Sequence, residues 1–535
     1  MSIKSKLQNI IRKSLPVEID VDKIIIDVPK DKKNGDYSTN VAFLLTKELK
    51  SNPMLIANDI KDRIKDEIID RVEVANPGFI NFYLSKEFLL SNINVILEEG
   101  KNYGKSTYGN NEKINIEYVS ANPTGTLHIG HGRGAVYGDS LAHIMSFAGY
   151  DVTREYYIND AGNQMYNLGV SIKERYKERC GIEFEIPENG YHGKEIITLA
   201  DSLYNTYGDS KLDENIEFFK KQGLEILLDG IKKDLDTFRI NFDVFTSEQS
   251  LYDNGAVENT LNSLQRSGKC YINEDALWLR TTDLYDEKDR VLVKSDGNYT
   301  YLLPDIAYHL DKLDRGYSKL IDVLGSDHHG YINRLKSSIE MLGYDANKLD
   351  IRILQMVRLL RNGEEVKLSK RTGKTITLNE LIEEVGVNAS RYFFVSKSLD
   401  TQMDFDLDLA VRNSNENPIY YIEYANARIS SILRGKKEEK IEVFSTIDNE
   451  HAYTILNKLI EFEDVVISAA SKGLPHLVAN YMYELASMFH SYYAVEKIVT
   501  EDEVYTRERI ALLRAIKIVM NNASSMLGLI LREEM

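Results

Sequence analysis

The stretch from Ile114 to Gly149 limits what this chain can fold into more than any other. Ile114-Asn115-Ile116-Glu117-Tyr118-Val119 reads as a buried strand. It runs directly into Ser120-Ala121-Asn122-Pro123-Thr124-Gly125-Thr126-Leu127-His128-Ile129-Gly130-His131-Gly132-Arg133-Gly134. A helix is expected next, with Leu141, Ile144, Met145 and Ala148 on one face and Gly149 as its stop. Strand, glycine-rich turn and helix N-terminus together make a phosphate-binding corner of a doubly wound sheet. Gly130, Gly132 and Gly134 do not spell the dinucleotide fingerprint, and no Walker lysine follows. The distinguishing feature is His128 and His131, three apart with a glycine between them. Glycines at a helix start let a base or ribose approach the backbone. Two imidazoles on one side of the corner can donate to phosphate oxygens as charge develops on them.

The rest of the chain surrounds this corner with other textures. Residues 1–110 mix short helical and strand patterns, ending in the alternating Phe79-Ile80-Asn81-Phe82-Tyr83, and Gly104 to Asn111 reads as a linker. Residues 111–375 alternate strand, turn and helix, as a parallel α/β sheet requires. A connecting segment spans 376–417, and from Pro418 to 535 only helical periods remain, the pattern of a bundle. Cys180 and Cys270 are the sole cysteines, which excludes a disulfide scaffold or a cysteine-rich zinc ribbon. With no basic-then-apolar leader and no apolar run near membrane length, a reducing cytoplasm is expected. A net charge of −17 argues only superficially against a nucleic-acid partner. Phosphate contacts need a local patch, and Arg352, Arg358, Arg361, Lys367, Lys370, Arg371 and Lys374 cluster against Glu364 and Glu365 alone.

His128-Ile129-Gly130-His131 resembles the HIGH signature of class I aminoacyl-tRNA synthetases. The wider string from Ser120 to Ala142, with Arg154-Glu155-Tyr156-Tyr157-Ile158-Asn159-Asp160-Ala161-Gly162-Asn163-Gln164, is similar to the arginyl-tRNA synthetase family. Lys367-Leu368-Ser369-Lys370-Arg371 resembles the second class I signature, KMSKS, with Leu for Met and Arg for the last Ser. A cationic loop of this kind stabilises departing pyrophosphate while a carboxylate attacks the α-phosphorus of ATP.

The resemblance implies a Rossmann-type catalytic core, an N-terminal α/β additional domain that contacts tRNA, and a C-terminal all-α anticodon-binding bundle. It implies that L-arginine is activated with ATP and Mg²⁺ and transferred to tRNA(Arg), adenylate formation itself requiring tRNA. It also implies a monomer with neither a structural metal nor a membrane partner. His128, His131, Lys367 and Lys370 would be catalytic, and with Gly130 and Ser369 would bind ATP. Glu117, Ser120, Asn122, His131, Tyr301, Asp305 and His328 would bind arginine, Glu117 and Asp305 forming an acidic pocket. Tyr301 and Asp305 come together if a helix starts at Pro304, and the plainer reading of Asp305 is then a helix cap or an acid of the first turn. Asn388-Ala389-Ser390-Arg391 departs from the family's Asp-Ala-x-Arg. Of the nine tyrosines beyond Pro418, most are expected in helix packing and some on unpaired anticodon bases. A different adenylyl-transferring HIGH enzyme would lack the bundle, and a non-catalytic paralogue would have lost a signature.

Overall fold

The computed structural model describes every residue except His329, 367–375 and Glu438. It separates into two compact units, one formed by 110–146 with 150–411, the other by 1–109, 147–149 and 412–535.

The first unit is built on a five-stranded parallel sheet: β1 (Lys113–Glu117), β2 (Asp151–Ile158), β3 (Val244–Ser247), β4 (Lys319–Gly325) and β5 (Leu349–Leu354). The spatial order is β5-β4-β1-β2-β3, all neighbours parallel. Chain order therefore reverses between β1 and β4, and a doubly wound sheet binds ligands outside the carboxyl ends of its strands at such a point. The first crossover is α1 (Ile129–Phe147), which starts inside the histidine turn and buries Leu141, Ile144 and Met145 as its period predicts. Gly149, with φ +94°, lies beyond its end.

The glycines of α1 serve packing as well as access. A Cβ on Gly132 would meet Leu378 Cδ1 at 2.8 Å and Phe394 Cε2 at 3.1 Å, so the close approach there is by the protein itself. At Gly138 a Cβ would fall 2.2 Å from Cγ of Tyr118, the residue just after β1. With so deep an overlap Gly138→Ala should overpack this crossing by about 2–3 kcal/mol, less the roughly 1 kcal/mol by which alanine favours a helix. A drop of about 2–8 °C in apparent melting temperature is the expected reading, and an unchanged value would show the crossing to be loose. Two buried arginines fix α1 at its other contacts. Arg133 donates to the carbonyls of Gln355, Ser398 and Thr401 at 2.8–2.9 Å. Arg391 donates to Asp139 Oδ2 at 2.5 Å and to the Phe238 carbonyl at 2.8 Å, so the arginine of the Asn-Ala-Ser-Arg sequence is an interior clamp.

The second unit joins segments far apart in sequence. A sheet of Ile26–Asp27, Tyr37–Thr39, Phe79–Leu84 and Ile69–Ala75 belongs with the helices Pro418–Leu433, Glu450–Ile460, Phe462–Lys472, His476–Val495 and Glu503–Met526. Lys4 N donates to Asp464 Oδ2 at 3.2 Å, Tyr103 Oη to the Leu459 carbonyl at 3.0 Å, and Asn522 Nδ2 to the carbonyls of Gly100 and Tyr103 at 3.0 Å. The glycine-rich linker is itself packed, because a Cβ on Gly104 would sit 2.5 Å from the Phe462 ring. Tyr481 and Tyr492 are core residues, whereas Tyr420, Tyr421, Tyr424, Tyr483 and Tyr493 keep solvent-facing edges.

Candidate active site

The carboxyl end of β1 is bent by strain. Val119 has φ +69° and Ser120 φ +38°, a left-handed conformation that a β-branched residue adopts only under constraint, at a cost of about 1–3 kcal/mol each. The constraint is a latch. Ser120 Oγ donates to Glu117 Oε1 at 2.9 Å and accepts from Tyr157 N at 3.1 Å, tying the corner to β2. Asn122 then lies exposed on the turn, its carbonyl accepting from Thr124 N at 2.8 Å.

His128 and His131 stack with ring centroids 3.8 Å apart and planes 27° from parallel. The backbone sets their tautomers. His128 Nδ1 accepts from Gly130 N at 3.1 Å, and His131 Nδ1 accepts from His128 N at 3.2 Å. Both protons are thereby placed on Nε2, where each ring can donate to a ligand. Desolvation lowers the pKa of His128, although its residue surface is exposed. It takes the more shielded His131 down to about 4, the neighbouring ring adding to the effect. At neutral pH the pair is uncharged, a pair of hydrogen-bond donors and not a cationic clamp.

Lys367, Ser369 and Lys370 lie outside the described residues. The chain that follows them returns to the histidine turn: Thr377 forms a β-bridge with His128, and Leu378 N donates to the Leu127 carbonyl at 2.9 Å.

Tyr301 occupies the cap position of α2 (Leu302–Asp314), two residues earlier than a start at Pro304 would give. Proline is tolerated there because N–H groups of the first turn lack helical partners anyway. Asp305 does not cap the helix but is the acid of its first turn. Its carboxylate accepts from Tyr331 Oη, and His328 lies beyond, its ring 6.2 Å from that of Tyr331. Tyr301 is 65% exposed, at the rim of the site. Burial raises Asp305 to about 6, with the Tyr331 bond and His309 opposing the shift. A cation such as guanidinium needs this group ionised. The arginine kcat/KM should therefore fall, toward tenfold per unit, as the pH drops below about 6. A profile flat to pH 5 would detach Asp305 from cation binding.

Sequence reading missed two parts of this site. Glu248, 4% exposed, enters from the residue after β3, and burial together with the charges of Asp305 and Asp160 raises it to about 7. Nothing in its local sequence marks it. Lys312 is fully buried and bonded to Glu117 Oε2, so Glu117 comes to the site already paired. Here a signal existed: Asp305, His309 and Lys312, at spacings of four and three, share one face of the helix.

Comparison with known proteins sets this geometry in a lineage. Residues 92–414 match the family described as tRNA synthetases class I (R), catalytic domain. Residues 422–535 match the DALR anticodon binding domain, and 1–84 the arginyl tRNA synthetase N terminal domain. The arginine–tRNA ligase of Bacillus subtilis is 49% identical over 98% of this chain and 97% of its own. That of Listeria monocytogenes is 49% identical over 97% and 95%. A solved Campylobacter jejuni arginyl-tRNA synthetase chain is 37% identical, covers 84% of this chain and 100% of its own, and superposes with a TM-score of 0.78. The Thermus thermophilus arginyl-tRNA synthetase, 20% identical, shares the fold over the full length of both chains with a TM-score of 0.79.

Proposed function

The chain belongs to the arginyl-tRNA synthetase family, and on that premise we propose how its residues divide the work of activating L-arginine with ATP and charging tRNA(Arg). The observation that carries this division is the neutral histidine pair at the sheet's reversal point, with both Nδ1 atoms held by backbone N–H groups. As the arginine carboxylate attacks the α-phosphorus, Nε2–H of His128 and of His131 donates to the oxygens on which charge develops. Lys367 and Lys370 draw off the pyrophosphate, and Gly130 and Ser369 contact the nucleotide. Arginine lies with its guanidinium on Asp305 and its α-groups at Ser120, Asn122 and His131, while Glu117, Tyr301 and His328 complete the pocket.

ATP arrives as its Mg²⁺ complex, as substrate. Among the described residues no group of three or more His, Cys, Asp or Glu is placed to hold a metal ion. The enzyme works as a cytoplasmic monomer on this reading, and no described helix is long and apolar enough to cross a membrane. The helical bundle reads the anticodon. Tyr420 and Tyr424 stack 6.2 Å apart, Tyr424 on His490 at 5.7 Å, and Arg428 lies 4.5 Å from the Tyr424 ring, a ladder suited to splayed bases.

Adenylate formation depends on bound tRNA. Pyrophosphate exchange measured with arginine and ATP, with and without tRNA(Arg), tests the whole reading. Exchange only with tRNA present, and charging with arginine alone, is expected. Exchange at full rate without tRNA would overturn the dependence, and charging with another amino acid would overturn the pocket.

A further inference from the structure

The face of α2 that carries Asp305 lies over a row of three carboxylates. Asp322 of β4, Glu117 of β1 and Glu155 of β2 are register partners on adjacent strands, where like charges repel. Arg315 neutralises one end, with Nη2 2.9 Å from both oxygens of Glu155. Lys312, with 0% of its side chain exposed, serves the other two: its ammonium bonds to Glu117 Oε2 and, at 3.0 Å, to Asp322 Oδ1. The second oxygen of Asp322 meets His309 Nε2 at 2.7 Å, and His309 Nδ1 lies 2.7 Å from the carbonyl of Asp305. The second oxygen of Glu117 accepts from Ser120 Oγ at 2.9 Å. One unbroken chain of hydrogen bonds thus joins the strained corner of β1 to the helical turn that bears Asp305, and Lys312 is its central link.

We propose that Lys312 is a positioning residue for arginine recognition, holding the Ser120 corner and the Asp305 helix face at a fixed separation by joining Glu117 to Asp322. Two properties separate this from simple charge balance. A lysine needed only to neutralise the row could be replaced by removing one carboxylate. A lysine that sets geometry could not, because Glu117 would lose the partner that orients it. The α-groups of arginine and its guanidinium are held at opposite ends of this chain, so a shift between the ends weakens arginine and leaves ATP nearly untouched. The inference rests on the reading of Ser120 and Asp305 as the arginine pocket.

The test uses the full-length enzyme carrying Lys312→Met, alone and with Asp322→Asn, and reads apparent melting temperature with the KM values for arginine and ATP in tRNA charging. KM is a property of the folded molecules, so a partly unfolded preparation still gives the answer. Lys312→Met should lower the melting temperature and raise the arginine KM by roughly tenfold or more, with the ATP KM within about twofold. The double variant restores the charge of the row and should recover much of the melting temperature while the arginine KM stays high. An arginine KM that returns to the wild-type value in the double variant would reduce Lys312 to charge balance and overturn the proposal. An unchanged arginine KM in Lys312→Met, or arginine and ATP KM values rising together, would overturn it as well. Asp305→Asn run alongside keeps the two readings apart: if it raises the arginine KM while Lys312→Met does not, the pocket stands and only the role of Lys312 falls.

Discussion

Asp305→Asn is expected to raise the KM for arginine by roughly 10²-fold while the ATP KM stays within about twofold. The substitution keeps the shape and keeps an acceptor for Tyr331 Oη, so the protein should remain folded. What disappears is the charge, and the new amide can turn an N–H group toward the guanidinium. Truncating one partner of a desolvated charged pair costs a few kcal/mol, largely because the other charge is left unpaired, and about 1.4 kcal/mol is a factor of ten. Citrulline, isosteric with arginine but uncharged, supplies the complement. The wild type should reject it, and the variant should discriminate against it less. An arginine KM unchanged in Asp305→Asn would remove this residue from the pocket and leave it as an acid of the first turn of α2, whose cap position Tyr301 holds.

His131→Ala should lower kcat by roughly 10²–10³ and, because His131 also meets the α-groups of arginine, raise the arginine KM, whereas His128→Ala should lower kcat with the arginine KM nearly unchanged. The reason is the tautomer. With Nδ1 of each ring taken by a backbone N–H group, Nε2–H is free to meet charge that exists mainly in the transition state. Alanine removes the donor and leaves helix α1 intact, because the bonds lost at Nδ1 lie at the edge of the turn. The low pKa of His131 adds a sign to the prediction: the pair works uncharged, so its contribution should persist to pH 8, where a role requiring imidazolium would be lost. Near-normal turnover in both variants would remove the pair from the chemistry.

How far the sequence leads depends on where the information sits. The β1–turn–α1 corner was legible because strand, glycines and helix follow one another, and the chemistry of His128 and His131 is local to that run. Asp305 was legible through its spacing from Tyr301, although the helix begins at Leu302 and not at Pro304. The carboxylate row was not legible. Asp322, Glu117 and Glu155 become neighbours only through strand register, and register between parallel strands is set by crossovers of dozens to hundreds of residues. For the same reason the acidic pocket that the resemblance implies for Glu117 and Asp305 gave no hint of Lys312, almost two hundred positions after Glu117, which already holds it. The glycines at the start of α1 were read as room for a base or ribose, yet Gly132 makes room for Leu378 and Phe394, as Gly138 further along does for Tyr118, partners that no local pattern announces. Among the tyrosines, burial sorted Tyr481 and Tyr492 into the core and left the Tyr420–Tyr424 ladder at the surface.

The union of residues 1–109 with 412–535 in one compact unit has a consequence for how the polypeptide is made. The helix Lys86–Glu99 lies against the helices Glu450–Ile460 and Glu503–Met526, so its buried residues Leu89, Ile93 and Ile96 reach their native surroundings only when the far end of the chain exists. On a ribosome adding about 5–20 residues per second, the roughly 430 residues from Glu99 to the end of the last helix at Met526 take about 20–85 s to synthesise. Throughout that interval the first-made segment waits with an apolar flank exposed, while the sheet-bearing unit can close behind it from residues that follow one another directly. Such an order makes the nascent amino-terminal segment a client for chaperones. It also makes translation speed through the middle of the message a variable in the yield of native enzyme.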